Sequence, residues 1–456
     1  MLNYIDLKYV PKHTELLVEY YVEPTKGKSF EYCAEQIAAE SSIGTWTTIS
    51  TMNKKIANKL MPHVYDINKK NNLIKIAYPS QLFEKGNMPQ ILSSIAGNIF
   101  GMKILKNLRL EDIHFPKSIL KSFKGPRYGI QGIRQLLRVK NRPLIGTIVK
   151  PKVGLNEKQH AKVAYEAWIG GLDVVKDDEN LSSLSFNKFK KRISETVKMK
   201  IKAEKETGEK KIYMPNITAE TFEMLKRADY VKQKGNEYVM IDVLTSGFAA
   251  VQTLRNHTDL VIHAHRAMHA ALTKNHKHGI SMLCLAKIYR LLGVDQIHIG
   301  TAGVGKMDGS KQEIITIEEE VEDNYLSVND KEKVLEQDWL HIKPTLAVAS
   351  GGLCPLSVPA VVNAMGNNIV MQFGGGCHGH PQGTLKGAIA IRQALDSALQ
   401  KIPLKEYAKN HVELQEAIDK WGKKVKKKKK QKVKSIKKKT KKKIKKKSKK
   451  RNLRKK

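Results

Sequence analysis

Residues 170–179 read Gly-Gly-Leu-Asp-Val-Val-Lys-Asp-Asp-Glu, which places a lysine and three carboxylates at the end of a short apolar run. Side chains alternate between faces along an extended strand, so Lys176 and Asp178 share one face and Asp177 takes the other. Glu179, in the turn beyond, can swing to join the first pair. Hard oxygen ligands of this kind suit Mg2+, but an ammonium among them would repel the cation. A neutral lysine amine that adds CO2 becomes a carbamate, which is anionic and a hard ligand. Three carboxylate-like groups would then surround one divalent ion. Taken alone, the same run also reads as a salt-bridge cluster in a solvated turn.

Other groups able to bind anions or exchange protons recur at the ends of apolar runs. They are Lys150-Pro-Lys152, His263-Ala-His265-Arg266-Ala-Met-His269 and His298, and together they imply a polyanionic substrate. Histidines so spaced could instead ligate zinc with Cys377-His378-Gly-His380, although the adjacent arginine and lysines favour phosphate. Two glycine-bearing turns, Ser350-Gly351-Gly352 and Gly374-Gly375-Gly376, present backbone N–H groups that can cradle a phosphate. Tight turns alone would also explain such glycines. The segment 300–309, Gly-Thr-Ala-Gly-Val-Gly-Lys306-Met-Asp-Gly, has the composition of a mobile lid carrying a cation.

The elements that must hold these groups follow from hydrophobic patterning. Eight β-rich runs, at 144–149, 172–176, 212–217, 238–243, 260–265, 296–300, 345–351 and 369–375, alternate with amphipathic stretches. Helices are expected at 157–169, 186–206 and 280–292, the first and last ending at glycines. Eight such units predict an α/β fold built on an eight-stranded parallel β/α (TIM) barrel, in which catalytic groups sit where strands finish. An open doubly wound sheet is the weaker alternative, because Lys150-Pro-Lys152 stands where its glycine-rich phosphate turn would be. Ahead of the barrel, strand-like 15–22 and 73–78 mix with helical 32–40 and 88–96, which reads as a small α+β domain. Gly125-Pro126 marks the hinge, so the expected divisions are 1–125, 126–421 and a tail at 422–456.

Charge separates that tail from the body. The net charge is +38 over 456 residues, but 423–456 holds 24 Lys/Arg and no acid, leaving 58 basic against 44 acidic residues elsewhere. The body suits an anionic small molecule as well as it suits DNA. The tail has too little apolar surface to offset ordering entropy and is expected to be disordered. It admits three readings: a solvated extension, a tether to nucleic acid or ribosomes, and a contact with anionic membrane. Four scattered cysteines indicate neither a disulfide framework nor a Cys-x-x-Cys site. With no membrane-length apolar run and no secretion signal, a cytoplasmic location is expected.

Five motifs in one order resemble the large subunit of ribulose-1,5-bisphosphate carboxylase/oxygenase, rubisco, over about 15–420. They are Gly-Gly-Leu-Asp-x-x-Lys-Asp-Asp-Glu, His-x-His-Arg-Ala-Met-His, the Gly-Lys of the loop after His298, Ala-Ser-Gly-Gly, and Gln372-Phe-Gly-Gly-Gly. Glu40-Ser-Ser-Ile-Gly-Thr45-Trp46-Thr-Thr and Gly97-Asn98-Ile-Phe-Gly extend the likeness to the small domain. The resemblance implies Mg2+-dependent carboxylation of ribulose bisphosphate to two 3-phosphoglycerates, with an oxygenase side activity. Lys176 would be the carbamylated lysine and enolisation base, with Asp178 and Glu179 completing the ligands of one Mg2+ per site. Lys150 would donate a proton, Lys152 would flank the reacting carbons, and His265 would manage substrate hydroxyl protons.

The resemblance also assigns the binding groups. Ser350 would bind a hydroxyl, Arg266 and His298 one phosphate, and Thr45, Trp46, Lys306, Gly352, Gly374 and Gly375 the other. Gly351 and Gln372 belong to the same substrate-binding set. Lys306 would also polarise CO2, held in place by Glu40. Glu40, Thr45, Trp46 and Asn98 would come from a neighbouring subunit of a homodimer, or of a larger assembly of dimers without small subunits. The lid is one residue longer than the plant pattern and the first strand ends Thr-Ile-Val-Lys. Both features resemble the archaeal, form III-like class, which is associated with salvage of ribose phosphate from nucleotides such as AMP. The rival readings are a rubisco-like enolase or isomerase of a related sugar phosphate, and a nucleic-acid-tethered protein acting through its tail.

Overall fold

The computed structural model describes residues 2–422 except Trp46, Thr48 and Asp308. The disorder expected of the lysine-rich tail therefore concerns residues outside the described ones. Near the N-terminus, Leu16–Pro24 is flanked in antiparallel register by Leu73–Tyr78 and Leu105–His114, and His63–Asn68 completes the outer edge. Alternation along the central strand sends Val18, Tyr20 and Val22 inward, where helices Phe30–Glu40 and Met88–Ile95 cover them. The expected strands at 15–22 and 73–78 are present. Strands His63–Asn68 and Leu105–His114 were not anticipated, because polar residues such as Asp66, Lys106 and Asn107 blur their alternation.

All eight anticipated barrel strands form. In chain order they are Leu144–Ile148, Val174–Lys176, Ile212–Met214, Tyr238–Asp242, Val261–His265, Gln296–His298, Leu346–Ser350 and Ile369–Phe373. Each pairs in parallel with its sequence neighbours, and the eighth pairs with the first. The third and fourth meet at a single bridge, Asn216 to Met240, which closes the ring. Helix Glu157–Ile169 forms as expected. The other two begin later than expected, at Phe189 and Met282.

Strand starts and strand ends have opposite chemistry. Leu144, Val174, Ile212, Tyr238, Val261 and Leu346 form an apolar plug, against which Ile130, Ile133 and Leu137 of helix Gly129–Leu137 pack. The strand ends carry Lys176, Asp242, His265, His298 and Ser350, so the polar groups gather at the C-terminal mouth.

The small domain is fastened to the barrel. Gly279–Ile280, from the segment before helix Met282–Leu292, adds in parallel to Leu105–His114. Asp112 on that strand accepts a 2.7 Å hydrogen bond from Lys287 Nζ, both side chains being buried.

Candidate active site

Lys176, the last residue of the second barrel strand, is 1% exposed. Its Nζ donates to the Asp177 carbonyl at 2.7 Å and lies 4.0 Å from Glu179 Oε2. Burial drives this ammonium below its ordinary lysine value, against the opposing pull of Glu179, Asp242, Asp178 and Asp177. The alternation expected of this strand is borne out for Asp177, which faces away from the mouth into a buried network. Its carboxylate accepts from Arg192 Nε at 3.0 Å, Tyr213 hydroxyl at 2.9 Å and Asn216 N–H at 3.0 Å, and His160 Nε2 lies 3.0 Å away. Asn216 also donates to the carbonyls of Asp178 and Glu179. That network pins the backbone from which Asp178 and Glu179 project.

Two lysines from the loop after the first strand reach those carboxylates. Lys150 Nζ sits 2.5 Å from Asp178 Oδ2, and Lys152 Nζ sits 3.0 Å from Glu179 Oε1. The stem of Lys150 runs past Gly374, where a Cβ would meet Lys150 Cε at 3.3 Å. Burial works to raise the Glu179 carboxyl, but Lys176, His265 and Lys152 outweigh it and hold it at about 2. Two carboxylates converge here, and among the described residues no group of three His, Cys, Asp or Glu side chains is arranged to hold a metal. The donor chemistry therefore fits a hard cation only once Lys176 becomes anionic. The zinc alternative has no such convergence. Cys377 Sγ turns to the Thr384 carbonyl, His378 to Thr147 and the Ile148 carbonyl, and His380 to the Glu413 carbonyl.

The histidines of the fifth and sixth strands form two separate arrangements. His265 Nδ1 lies 2.6 Å from Asp242 Oδ1, while its Nε2 points toward Glu179 Oε2 at 3.8 Å. Asp242 ends the fourth strand and was missed in the sequence, although a carboxylate closing an otherwise apolar strand is the signal that identified its neighbours. His263 Nδ1 contacts Gln296 Oε1 at 2.9 Å, its Nε2 contacts His298 Nε2 at 2.8 Å, and His298 Nδ1 contacts Ser350 Oγ at 2.6 Å. Burial holds both rings well below the ordinary histidine range, with the Lys176 charge contributing to each. Both nitrogens of His298 are thus engaged inside the barrel.

The glycine-rich segment around Lys306 packs against the turn after the seventh strand. Lys306 N–H donates to the Gly351 carbonyl at 2.8 Å. A Cβ on Gly352 would fall 2.6 Å from Lys306 Cγ, and one on Gly351 would fall 2.2 Å from Met307 Cγ. Glycine is required at both positions, since φ is +113° at Gly351 and +79° at Gly352. Beside the lid, a cavity of about 500 Å³ is lined by Arg266, His269, Lys274, His276, Ser310 and Glu313. Buried Arg266 there donates only to the Ile299 carbonyl among the described residues, which leaves most of its guanidinium N–H groups for an anion.

Other expected site residues lie beyond the lysine–carboxylate cluster. Gln372, paired in register with Ser350, is buried with its Nε2 3.8 Å from the Met214 sulfur. Asn98 Nδ2 lies 3.4 Å from Glu40 Oε1 in the small domain. Thr45 borders a cavity of about 150 Å³ with Tyr4, Tyr32 and Ala39. Among the described residues, no hydrogen bond or ion pair joins Glu40, Thr45 or Asn98 to the barrel mouth. Trp46 lies outside the described residues.

Known proteins share this architecture along nearly the whole chain. Residues 3–119 match the ribulose bisphosphate carboxylase large chain N-terminal domain, and residues 129–421 match the catalytic domain of the same chain. Ribulose bisphosphate carboxylase of Methanocaldococcus jannaschii is 52% identical over 428 residues, covering 92% of this chain and 100% of that one. The enzyme of Methanosarcina mazei is 51% identical over 426 residues, covering 92% and 99%. The dimeric archaeal rubisco of Hyperthermus butylicus superposes with a TM-score of 0.87 at 46% identity, covering 92% of this chain and 98% of that one. The octameric rubisco of Pyrococcus horikoshii, solved with sulfate, superposes with a TM-score of 0.85 at 46% identity, covering 92% and 96%. With sequence, fold and mouth chemistry in agreement, the chain belongs to the rubisco large-chain family, in its archaeal form III-like class, and is a carbon–carbon lyase of the ribulose-bisphosphate carboxylase type.

Proposed function

We propose that this chain carboxylates ribulose 1,5-bisphosphate to two molecules of 3-phosphoglycerate, with O2 as a competing electrophile. The observation that carries the reading is the convergence of Lys150, Lys152 and Lys176 on Asp178 and Glu179, with Lys306 held against the turn after the seventh strand. Three ammonium groups around two carboxylates form a site poised for a change of charge. The buried Lys176 is the group whose amine is most readily freed of its proton. The ammonium gives up one proton to water, CO2 adds to the neutral amine with formation of an N–C bond, and a second proton leaves to water, so a cation becomes an anion. Carbamylated Lys176, Asp178 and Glu179 would then hold one Mg2+ per site. When bound, that ion would supply Lewis-acid stabilisation of the negative charge that develops on enolisation.

The remaining roles belong to the chain's own residues. The Lys176 carbamate takes the proton that leaves on enolisation, and His265 handles protons at the substrate hydroxyls. Lys152 flanks the reacting carbons and Lys150 returns a proton after carbon–carbon cleavage. Ser350 binds a hydroxyl, and Gly351 and Gln372 line the same end of the site. Arg266 holds one phosphate together with His298, which reaches it by exchanging one of its two internal hydrogen bonds. Thr45, Trp46, Lys306, Gly352, Gly374 and Gly375 hold the other, and Lys306 polarises CO2 beside Glu40. Closure of the lid excludes water from the enediolate.

Glu40, Thr45, Trp46 and Asn98 serve the partner's site in a homodimer, or in a larger assembly of dimers, without small subunits. The dimeric and octameric archaeal relatives support this reading, as does the separation of these residues from the mouth within one chain. The division at 1–125 and 126–421 is supported by the two family matches, and 422–456 is a basic tail. We assign the enzyme to the cytoplasm and to salvage of nucleotide ribose phosphate, as befits the class. Labelled CO2 supplied with Mg2+ and ribulose bisphosphate should yield labelled 3-phosphoglycerate. Exchange of the C3 proton without labelled product would instead favour a rubisco-like enolase. Removing 423–456 should leave turnover unchanged and abolish any RNA gel shift; loss of turnover would overturn the tail's separateness.

A further inference from the structure

The pairing of Asp242 with His265 joins the ends of two neighbouring barrel strands, and neither composition nor motif spacing assigns Asp242 a part. Asp242 is 3% exposed and His265 opens onto the mouth. Their side chains meet through Asp242 Oδ1 and His265 Nδ1 at 2.6 Å. An ionised carboxylate accepts and cannot donate, so a neutral His265 in this contact carries its proton on Nδ1. Its Nε2 then presents a lone pair to the mouth, on the side where Glu179 Oε2 stands 3.8 Å away. The strand end that presents Asp242 is itself held, since its backbone N–H donates to Thr218 Oγ1 at 3.0 Å and its carbonyl accepts from Thr245 Oγ1 at 3.2 Å.

We propose that Asp242 is a positioning residue for the reaction, fixing His265 as the Nδ1–H tautomer so that Nε2 can take a proton from a substrate hydroxyl. In that step the O–H bond breaks, an N–H bond forms at Nε2, and the electron pair stays on the substrate oxygen. His265 becomes an imidazolium whose Nδ1–H still points at the Asp242 carboxylate. The contact fixes the ring plane, so that Nε2 is held toward Glu179 instead of rotating into solvent.

This inference rests on the reading of His265 as the group that handles hydroxyl protons, and the test separates the two. The full chain labelled with 15N-histidine, free of metal and substrate, should show His265 protonated on Nδ1, its signals assigned by their loss in His265→Gln. In Asp242→Asn the amide can donate to Nδ1, and the spectrum should shift toward the Nε2–H tautomer. In the CO2- and Mg2+-activated enzyme the same variant should lose about 10²- to 10⁴-fold in kcat, the range set by mis-orienting a catalytic histidine, with KM for the bisphosphate held within about twofold. Asp242→Glu, which keeps an accepting carboxylate, should recover part of the loss. An Nε2–H tautomer in the unsubstituted protein overturns the proposal, as does an Asp242→Asn enzyme turning over within about threefold of it. Because the tautomer is read without turnover, failure of the carboxylase reading would leave that measurement intact, and a variant that fails to fold would not stand in its way.

Discussion

Gly352→Ala tests whether the lid lysine must sit where it does. The new Cβ would lie 2.6 Å from Lys306 Cγ, 2.8 Å from Cδ and 2.9 Å from Cβ, all closer than carbon atoms approach one another. Those atoms are the base of the lysine stem, so the whole side chain must move and not only its tip. Retaining φ at +79° would cost an alanine a further ~1–2 kcal/mol, a strain the turn can relieve only by shifting Gly351, whose carbonyl accepts from Lys306 N–H at 2.8 Å. Both routes displace the ammonium. A hydrogen bond to a charged group contributes about 1.5–3 kcal/mol, so kcat/KM for carboxylation should fall about 10- to 150-fold. Exchange of the substrate C3 proton with solvent, which calls on Lys306 only through its hold on a phosphate and not through the polarising of CO2, should fall less. The assay is therefore paired: labelled CO2 fixation beside proton exchange on the same preparation. Unchanged fixation would refute the placement of Lys306 against this turn, and equal loss of both activities would mean that the turn serves binding generally.

Lys176→Ala should abolish activation by CO2 plus Mg2+, and retained turnover in that variant would refute the carbamate. Arg192→Met should destabilise the fold by about 3–5 kcal/mol in denaturant titration, because it strands the buried Asp177 carboxylate without its cation; a loss below about 1 kcal/mol would show that Tyr213 and Asn216 suffice. The Glu318 carboxyl, on helix Lys311–Glu322, is pushed up to about 9, first by burial and then by Glu322 and Glu319. Its folded-state proton affinity exceeds the unfolded one, so the stabilisation it offers is complete below the ordinary glutamate range and is lost as pH climbs toward 9. Glu318→Gln should accordingly lose less stability than the parent between pH 5 and 8, and parallel pH curves would contradict the shift.

Much of this molecule is legible in its residues because the signals are local. Alternation along residues 174–179 separates Lys176 and Asp178 from Asp177 without reference to any other part of the chain, and Asp177 does turn into its own network with Arg192 and Tyr213. Eight apolar runs with turn signals between them specify a barrel, and barrel geometry alone sends their polar ends to one mouth. Glycines at 351 and 352 announce a close approach.

What the tertiary structure decided is which of those ends meet. Strands His63–Asn68 and Leu105–His114 escape detection because their polar residues are satisfied by distant partners, as where Lys106 and Asn107 reach Glu23. The reach of Lys150 to Asp178, of Asp242 to His265, and of His263 through His298 to Ser350 depends on the rotation of one strand against the next as the ring closes. Periodicity carries no trace of that rotation, because hydrogen-bond register and barrel closure are properties of the assembled sheet and not of any one strand. For the same reason it is the folded small domain, and no periodicity in either segment, that brings Asn98 Nδ2 to 3.4 Å from Glu40 Oε1.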